Sequence, residues 1–421
     1  MARETPARLR LTLGVAALLT LARIGIEWRT VPVYFHDFHV FRGEVARARD
    51  GGPLYATARS DYFNPGSPVY KYPPPYAALI KAFTSWPAER ALQLFLATSL
   101  LVLAGAWATM LSVFRPSWER GLLALIVYLN WEPLFESLQG LQLEPLLLLL
   151  AALALACLVL GQPFGAGLAL GIACAFKVYP GLLVLPYLVR RRWAVVAGAI
   201  LGLAATLALS ALAFPARLSL DYFTRILPRL GGVALAWDSI GLLAHAGRLA
   251  LLLLTGPEQT LAAARSVPAI LGVVDVPGLV TPTCVLAALL GVPLVVIVAK
   301  PLARAGDLPP VVGESAALGL SLCAVLVLLP TSWPDYQTLL ALPAVWATLT
   351  VSRDERRLVA LVLVAVTIAA LPAQGRFLDE NRGLICGLRT LLPLLLGAYC
   401  RARLLGPAAP QGRRAALSSS S

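Results

Sequence analysis

Residues 193–214 read WAVVAGAILGLAATLALSALAF, a run whose only polar side chains are Thr206 and Ser210. Residues 146–160 contain nothing more polar than Cys157. An α-helix needs about 20 such residues to cross a hydrocarbon core of roughly 30 Å, and few soluble folds can bury runs this featureless. The whole chain follows suit. Of its 421 residues 58% are hydrophobic and 14% charged, against about 25% charged in soluble domains. A string of soluble domains is therefore excluded, and the sequence specifies an all-α, multi-pass integral membrane protein.

The net charge of +13 does not describe a nucleic-acid surface, because the basic residues lie in short clusters beside apolar runs. Arg3, Arg8 and Arg10 open the chain. Arg115 with Arg120, Arg190–Arg192, Lys300 with Arg304, Arg353 with Arg356 and Arg357, and Arg401, Arg403, Arg413 and Arg414 follow. Such clusters mark cytoplasmic loops. The six cysteines contain no CxxC pair and lie mostly in apolar segments, so they read as small core residues and not as a disulfide or metal framework.

Placing the basic clusters on one side gives about twelve spans, with both termini cytoplasmic, in the cell (plasma) membrane. They fall at 9–26 (read as an uncleaved first span), 91–114, 121–131, 142–160, 165–176, 178–189, 193–214, 280–299, 315–329, 338–349, 358–371 and 384–400. Residues 73–86 read as a short interfacial or re-entrant helix opening on prolines. Arg23 and Glu27 stand one turn apart near the outer end of the first span and could pair there. The membrane domain covers 1–405, with external regions at about 28–75, 215–278 and 330–336 that carry short amphipathic helices. A Pro/Ala/Arg/Ser-rich tail at 406–421 reads as disordered.

In this scheme candidate chemistry collects on the external side. The polar stretch 34–76 holds Asp37 between His36 and His39, two of the three histidines, and closes on Lys71-Tyr72-Pro73-Pro74-Pro75. A carboxylate just beyond a span end is either a general base for an acceptor hydroxyl or a helix cap or loop charge. His36 and His39 either meet a substrate phosphate or are solvated. An H-D-x-H metal site would lack its remaining ligands. Lys177 interrupts an apolar run, where an unpaired cation at mid-membrane costs roughly 2.5–3.5 kcal/mol. It either snorkels to the interface or meets an anionic headgroup, with Tyr179-Pro180 shaping the backbone beside it. Asp335 lies between Trp333-Pro334 and Tyr336, aromatics that mark either a membrane interface or a site. The chain has no glycine-rich phosphate loop and no DxD element for a metal–nucleotide complex.

These motifs, in this order, resemble family 87 of the polyprenol-phosphate-sugar-dependent glycosyltransferases, within the multi-pass GT-C superfamily. Asp37-Phe38 follows the first span, and Gly51-Gly52-Pro53-Leu54-Tyr55 resembles the family's G-x-x-x-Y. Tyr72-Pro73-Pro74 opens an apolar helix. LQGLQLEPL at 138–146, which includes Gln142, resembles G-Q-x-N-x-L, and Lys177-Val178-Tyr179-Pro180 matches K-x-Y-P. Asp238-Ser239-Ile240 resembles N-Q-S, and PTSWPDY at 330–336 resembles P-x-S-W-x-H-Y. Three departures stand out: Glu144 where the family often has Asn, Asp238 in place of a Gln, and Pro334-Asp335 in place of an x-His pair.

The resemblance implies an external site that transfers a sugar, mannose in the family's type members, from a polyprenyl-phosphate-linked donor to a glycolipid or glycan acceptor. It implies an inverting reaction with Asp37 as general base. Lys177, with a histidine or Arg23, would neutralise the leaving phosphate. His36, His39, Arg23, Tyr55, Lys71, Tyr72, Gln142, Lys177, Tyr179, Ser239, Trp333, Asp335 and Tyr336 are then the expected substrate-binding residues. No cofactor is obligatory, a divalent metal stays optional, and the partners are membrane lipids and the two substrates, with no nucleic acid. The competing class is a secondary transporter or flippase for a polyprenyl-linked or anionic substrate. That class would place its charges near mid-membrane on broken helices.

Overall fold

A computed structural model of the chain describes residues 6–30, 36–56, 69–230, 235, 239–265, 278–329, 332–352, 354–371 and 387–406. Asp238 lies outside them, as do residues 407–421 of the tail expected at 406–421. Among the described residues every regular element is helical.

Helix α1 (Pro6–Thr30) presents Leu11, Leu18, Leu19 and Leu21 outward. The polar stretch that follows is less loop-like than its composition suggests, because α2 (His36–Arg49) occupies its first part. Phe38, Phe41 and Val45 explain why: they recur at helical spacing and are all buried, giving a polar segment one apolar face. Helix α3 (Pro74–Thr84) starts on its prolines as expected, since a proline in the first turn loses no intrahelical hydrogen bond. Helix α4 (Ala88–Phe114) ends at Arg115, whose left-handed φ of 42° turns the chain before Pro116.

Then come α5 (Trp118–Leu129), the short α6 (Glu132–Gln139), α7 (Glu144–Val159) and α8 (Pro163–Phe176). A 3-10 turn (Tyr179–Val184) leads into α9 (Leu185–Val189), and α10 (Trp193–Ser210) follows. The region expected to carry amphipathic helices contains α11 (Arg217–Asp221), α12 (Leu227–Leu230), the apolar α13 (Leu242–Thr255) and α14 (Pro257–Arg265). The C-terminal part comprises α15 (Val280–Leu302), α16 (Pro310–Leu328), a 3-10 turn (Pro334–Leu340), α17 (Ala341–Thr350), α18 (Arg356–Ala369) and α19 (Leu391–Leu405).

Four of the described helical segments are long and apolar enough to cross a membrane: Ala88–Phe114, Trp193–Ser210, Val280–Asp307 and Pro310–Leu328. Helices α7, α8 and α13 and the Tyr179–Val189 segment are shorter apolar pieces, so the count of about twelve is not reproduced by length and composition. The α16 window is 83% buried and the α15 window 11%. Helix α16 therefore runs through the middle of the protein, while α15 turns Leu289, Val292 and Val296 outward.

Two features position the site. First, α7 and α8 form a hairpin through Gly161, whose φ is 72°. Their 16 and 14 residues make rods of about 24 and 21 Å, so the start of α7 returns beside the end of α8. Second, α8 and α10 approach through Gly167 and Gly171 on one side and Gly198 and Gly202 on the other. A Cβ on Gly171 would stand 2.1 Å from the Ala199 carbonyl oxygen. Small residues four apart let helix backbones meet where apolar burial alone gives no drive for association in lipid.

Candidate active site

The apolar face of α2 packs into a cluster of aromatic rings from Tyr55, Tyr70, Tyr72, Tyr76 and Tyr222. This docking fixes the first turn of α2, where Asp37 sits half-buried. A carboxylate is stabilised there by the free N–H groups of a helix start.

Asp37 Oδ2 accepts a hydrogen bond from Gln142 Nε2 at 2.5 Å, and Gln142 Oε1 accepts one from the Tyr72 hydroxyl at 3.1 Å. Gln142 is aimed by the tight turn between α6 and α7. There Leu141 adopts a left-handed φ of 48°, and the Gln142 N–H bonds the Ser137 carbonyl at 2.8 Å. Such strain in a buried leucine is tolerated only where the surroundings enforce it. The Tyr72 carbonyl is held in turn by the Tyr55 hydroxyl at 3.0 Å, and the Lys71 carbonyl by Tyr222 at 3.4 Å. Tyr55, Lys71 and Tyr72 thus belong to one strap leading into α3.

Lys177 occupies the break between α8 and the following 3-10 turn, with extended backbone at φ −148° and ψ 128°. It is 6% exposed. Its ammonium forms an ion pair with Glu144 Oε1 and lies 3.9 Å from Asp335 Oδ2. Three rings surround it, with centroids 3.8 Å away for Tyr336, 5.3 Å for Tyr72 and 5.8 Å for Tyr179. Tyr179 and Tyr336 stack at 4.8 Å. Ring faces attract a cation most strongly when water is excluded.

Burial opposes the Lys177 charge, but Glu144, Tyr336 and Asp335 outweigh it and raise its pKa. Burial and then the Glu144 charge push the Asp335 carboxyl well above the usual range, against the pull of Lys177. Burial pushes the Tyr336 phenol up to about 12 despite Lys177. Lys71 is exposed by surface area yet crowded by protein, which lowers its ammonium's pKa while Asp37 opposes that fall.

Tyr72 is shared by both groups, so Asp37, Gln142, Tyr72, Lys177, Tyr179, Asp335 and Tyr336 form one continuous constellation. Other expected residues lie apart from it. Arg23 is bound to the α5–α6 turn, through Asn130 Oδ1 at 2.9 Å and an ion pair with Glu132, and the Glu27 side chain lies outside the described residues. His39 is exposed against the edge of Phe38, and the His36 side chain is not among those described. Ser239 is fully buried. Its neighbour Ile240 donates its N–H to the Ser332 carbonyl at 2.8 Å, so this motif reaches the site by bracing the turn behind Trp333. Trp333 itself is half-buried at the start of that turn.

Several supporting residues escape the motif reading. Glu144 appears there as a departure and is in fact the ion partner of Lys177. Glu136 and Arg389, both buried, meet at 2.6 Å. The Arg389 carbonyl holds Gln337 at 2.7 Å, the Gln337 carbonyl holds the Trp131 indole at 2.9 Å, and Ser137 meets Thr338 at 2.6 Å. Together they clamp the Pro334–Leu340 turn against α6. The signal that could have found them is that a charge set in apolar surroundings implies a partner. Among the described residues no group of three or more His, Cys, Asp or Glu side chains could hold a metal ion.

The model of glycosyltransferase family 87 matches residues 70–327, more than half of the chain. The chain belongs to glycosyltransferase family 87. It is accordingly a membrane glycosyltransferase with a sugar donor and an acceptor as substrates, and the family assignment favours transfer over transport. Tyr72, Gln142, Glu144, Lys177, Tyr179 and Ser239 fall inside the match; Asp37 and the Trp333–Tyr336 segment fall outside it. No curated protein and no solved structure matches the chain.

Proposed function

We propose that this family 87 glycosyltransferase moves a sugar, mannose on the family's pattern, from a polyprenyl-phosphate-linked donor to a lipid or polysaccharide acceptor at the external face. The protein then crosses the membrane about twelve times, the shorter apolar helices included, with both termini cytoplasmic. Asp37 is the general base: it takes the proton of the acceptor hydroxyl as that oxygen attacks the anomeric carbon. The anomeric C–O bond breaks on the opposite side, inverting the centre, and its electron pair stays on the lipid phosphate. Lys177 offsets the charge that develops there. The leaving phosphate stabilises negative charge well, so the reaction needs no metal.

The observation that carries this reading is the continuous link from Asp37 through Gln142 and Tyr72 to the ring cage around Lys177. Through it a half-buried carboxylate and a buried cation share one ring, Tyr72, which suits a base and a leaving-group stabiliser acting in one reaction. The test is transfer by purified protein from polyprenyl-phosphate-mannose, comparing wild type with Asp37→Asn. Loss of a general base lowers turnover by roughly 10²–10⁴-fold, with the helical circular dichroism unchanged. Full turnover in Asp37→Asn removes Asp37 from this role.

A further inference from the structure

The Lys177 cage raises a charge problem that the proposed reaction must solve. Glu144 is fully buried, pairs with the Lys177 ammonium through Oε1, and leaves Oε2 without a hydrogen-bond partner. Asp335 is a second carboxylate at 3.9 Å from the same ammonium. Asp37 joins through Gln142 and Tyr72, and Glu136 faces Asp335 from α6 while held by Arg389. The other groups coupled to these are the Lys71 ammonium, beside Asp37, and the hydroxyls of Tyr72, Tyr76, Tyr179 and Tyr336. The Lys177 charge is therefore already matched before any substrate arrives. A phosphodiester brought to it would meet an ammonium whose charge Glu144 already answers, in a place where water does little screening.

Resting on the proposed polyprenyl-phosphate donor, we infer that Glu144 competes with the donor phosphate for Lys177, and that donor binding displaces Glu144 and takes up a proton from solvent. The charges balance: the phosphodiester replaces the carboxylate on the ammonium, and the incoming proton neutralises the released Glu144. The orphaned Oε2 gives that carboxyl an open position for the proton. Asp335, already biased toward its protonated form by burial and by Glu144, adds little further repulsion. Glu144 is then a specificity and pH-setting residue. It makes this enzyme bind its donor more tightly in acid than in alkali, a dependence that an amide at position 144 removes.

The probe is farnesyl methyl phosphodiester, whose phosphate carries a constant single charge from acid to alkaline pH. Its binding to the full-length protein in nanodiscs is measured by calorimetry in two buffers of different ionisation heat. Wild type takes up close to one proton per probe bound, and affinity falls about tenfold per pH unit on the alkaline side. Glu144→Gln binds more tightly than wild type at high pH, with proton uptake and pH dependence removed. Wild-type binding without proton uptake overturns the displacement and leaves the donor reading intact, and this measurement requires no variant to fold. Uptake that persists in Glu144→Gln overturns the assignment to Glu144. A probe that binds wild type no better than Lys177→Met overturns the donor-phosphate reading itself.

Discussion

Replacing Lys177 by methionine tests the energetic core of the site. The ammonium is the ion partner of Glu144 Oε1, and Glu144 is fully buried with Oε2 unbonded. Removing the cation strands a charged carboxylate in the protein interior, which costs about 3–5 kcal/mol. The opposite change is milder. Glu144→Gln leaves Lys177 with Asp335 at 3.9 Å and three ring faces, and the glutamine oxygen can still accept from the ammonium. That substitution costs about 1–2 kcal/mol. The expected gap of roughly 2–3 kcal/mol corresponds to a difference of about 3 °C in unfolding midpoint for a chain of 421 residues. Thermal unfolding in detergent, followed by circular dichroism, reads it directly. Two further results belong to the same reasoning. The Lys177→Met deficit shrinks in acid, where the stranded carboxylate takes up a proton. The double variant Lys177→Met/Glu144→Met recovers most of the loss, because an apolar pair can replace a buried ion pair with little change. A Lys177→Met protein as stable as Glu144→Gln at neutral pH, or a double variant worse than either single one, refutes the argument.

Gly171→Leu forces a side chain into the backbone of α10, where even a Cβ comes to 2.1 Å from Ala199; we expect a loss of about 3 kcal/mol or more and aggregation on size-exclusion chromatography. Gly306→Ala, with nothing near its added Cβ, serves as the neutral control. Arg389→Met strands the buried Glu136 and loosens the turn that carries Asp335, costing about 3–5 kcal/mol in unfolding; Arg389→Lys recovers only part, because it cannot hold Glu136 and the Leu371 carbonyl together. Glu355 meets Ser352 and Arg403, interactions that outweigh its burial and lower its pKa. Its contribution is complete above the ordinary glutamate range and is lost as pH falls through the lowered value, so Glu355→Gln flattens the acid limb of the stability profile.

Much of this protein was legible from sequence because lipid is an unforgiving solvent. Apolar runs must become helices, since every backbone polar group in hydrocarbon has to be paired internally. The starts and ends of α3, α4, α7 and α8 followed within a few residues from their prolines and glycines. Motif order alone pointed to the family and singled out Asp37, Gln142, Tyr72, Lys177 and Asp335, which the fold does bring together. The hairpin of α7 and α8 was legible too, from the tight turn at Gly161-Gln162-Pro163 between two apolar runs.

Other features were decided by tertiary structure alone. Helix α2 lies in a stretch that reads as polar loop, because three buried side chains among charges become a face only when an aromatic cluster receives them. Arg23 looked like a phosphate ligand one turn from Glu27, yet it is held by Asn130 and Glu132, more than a hundred residues away. Glu136 reaches Arg389, and Asp335 reaches Lys177, from more than a hundred residues away in the chain. The sequence determined that each buried charge must have a partner, since leaving it alone in a low-dielectric interior costs too much. Which partner it has depends on how the helices pack, and no local pattern encodes that.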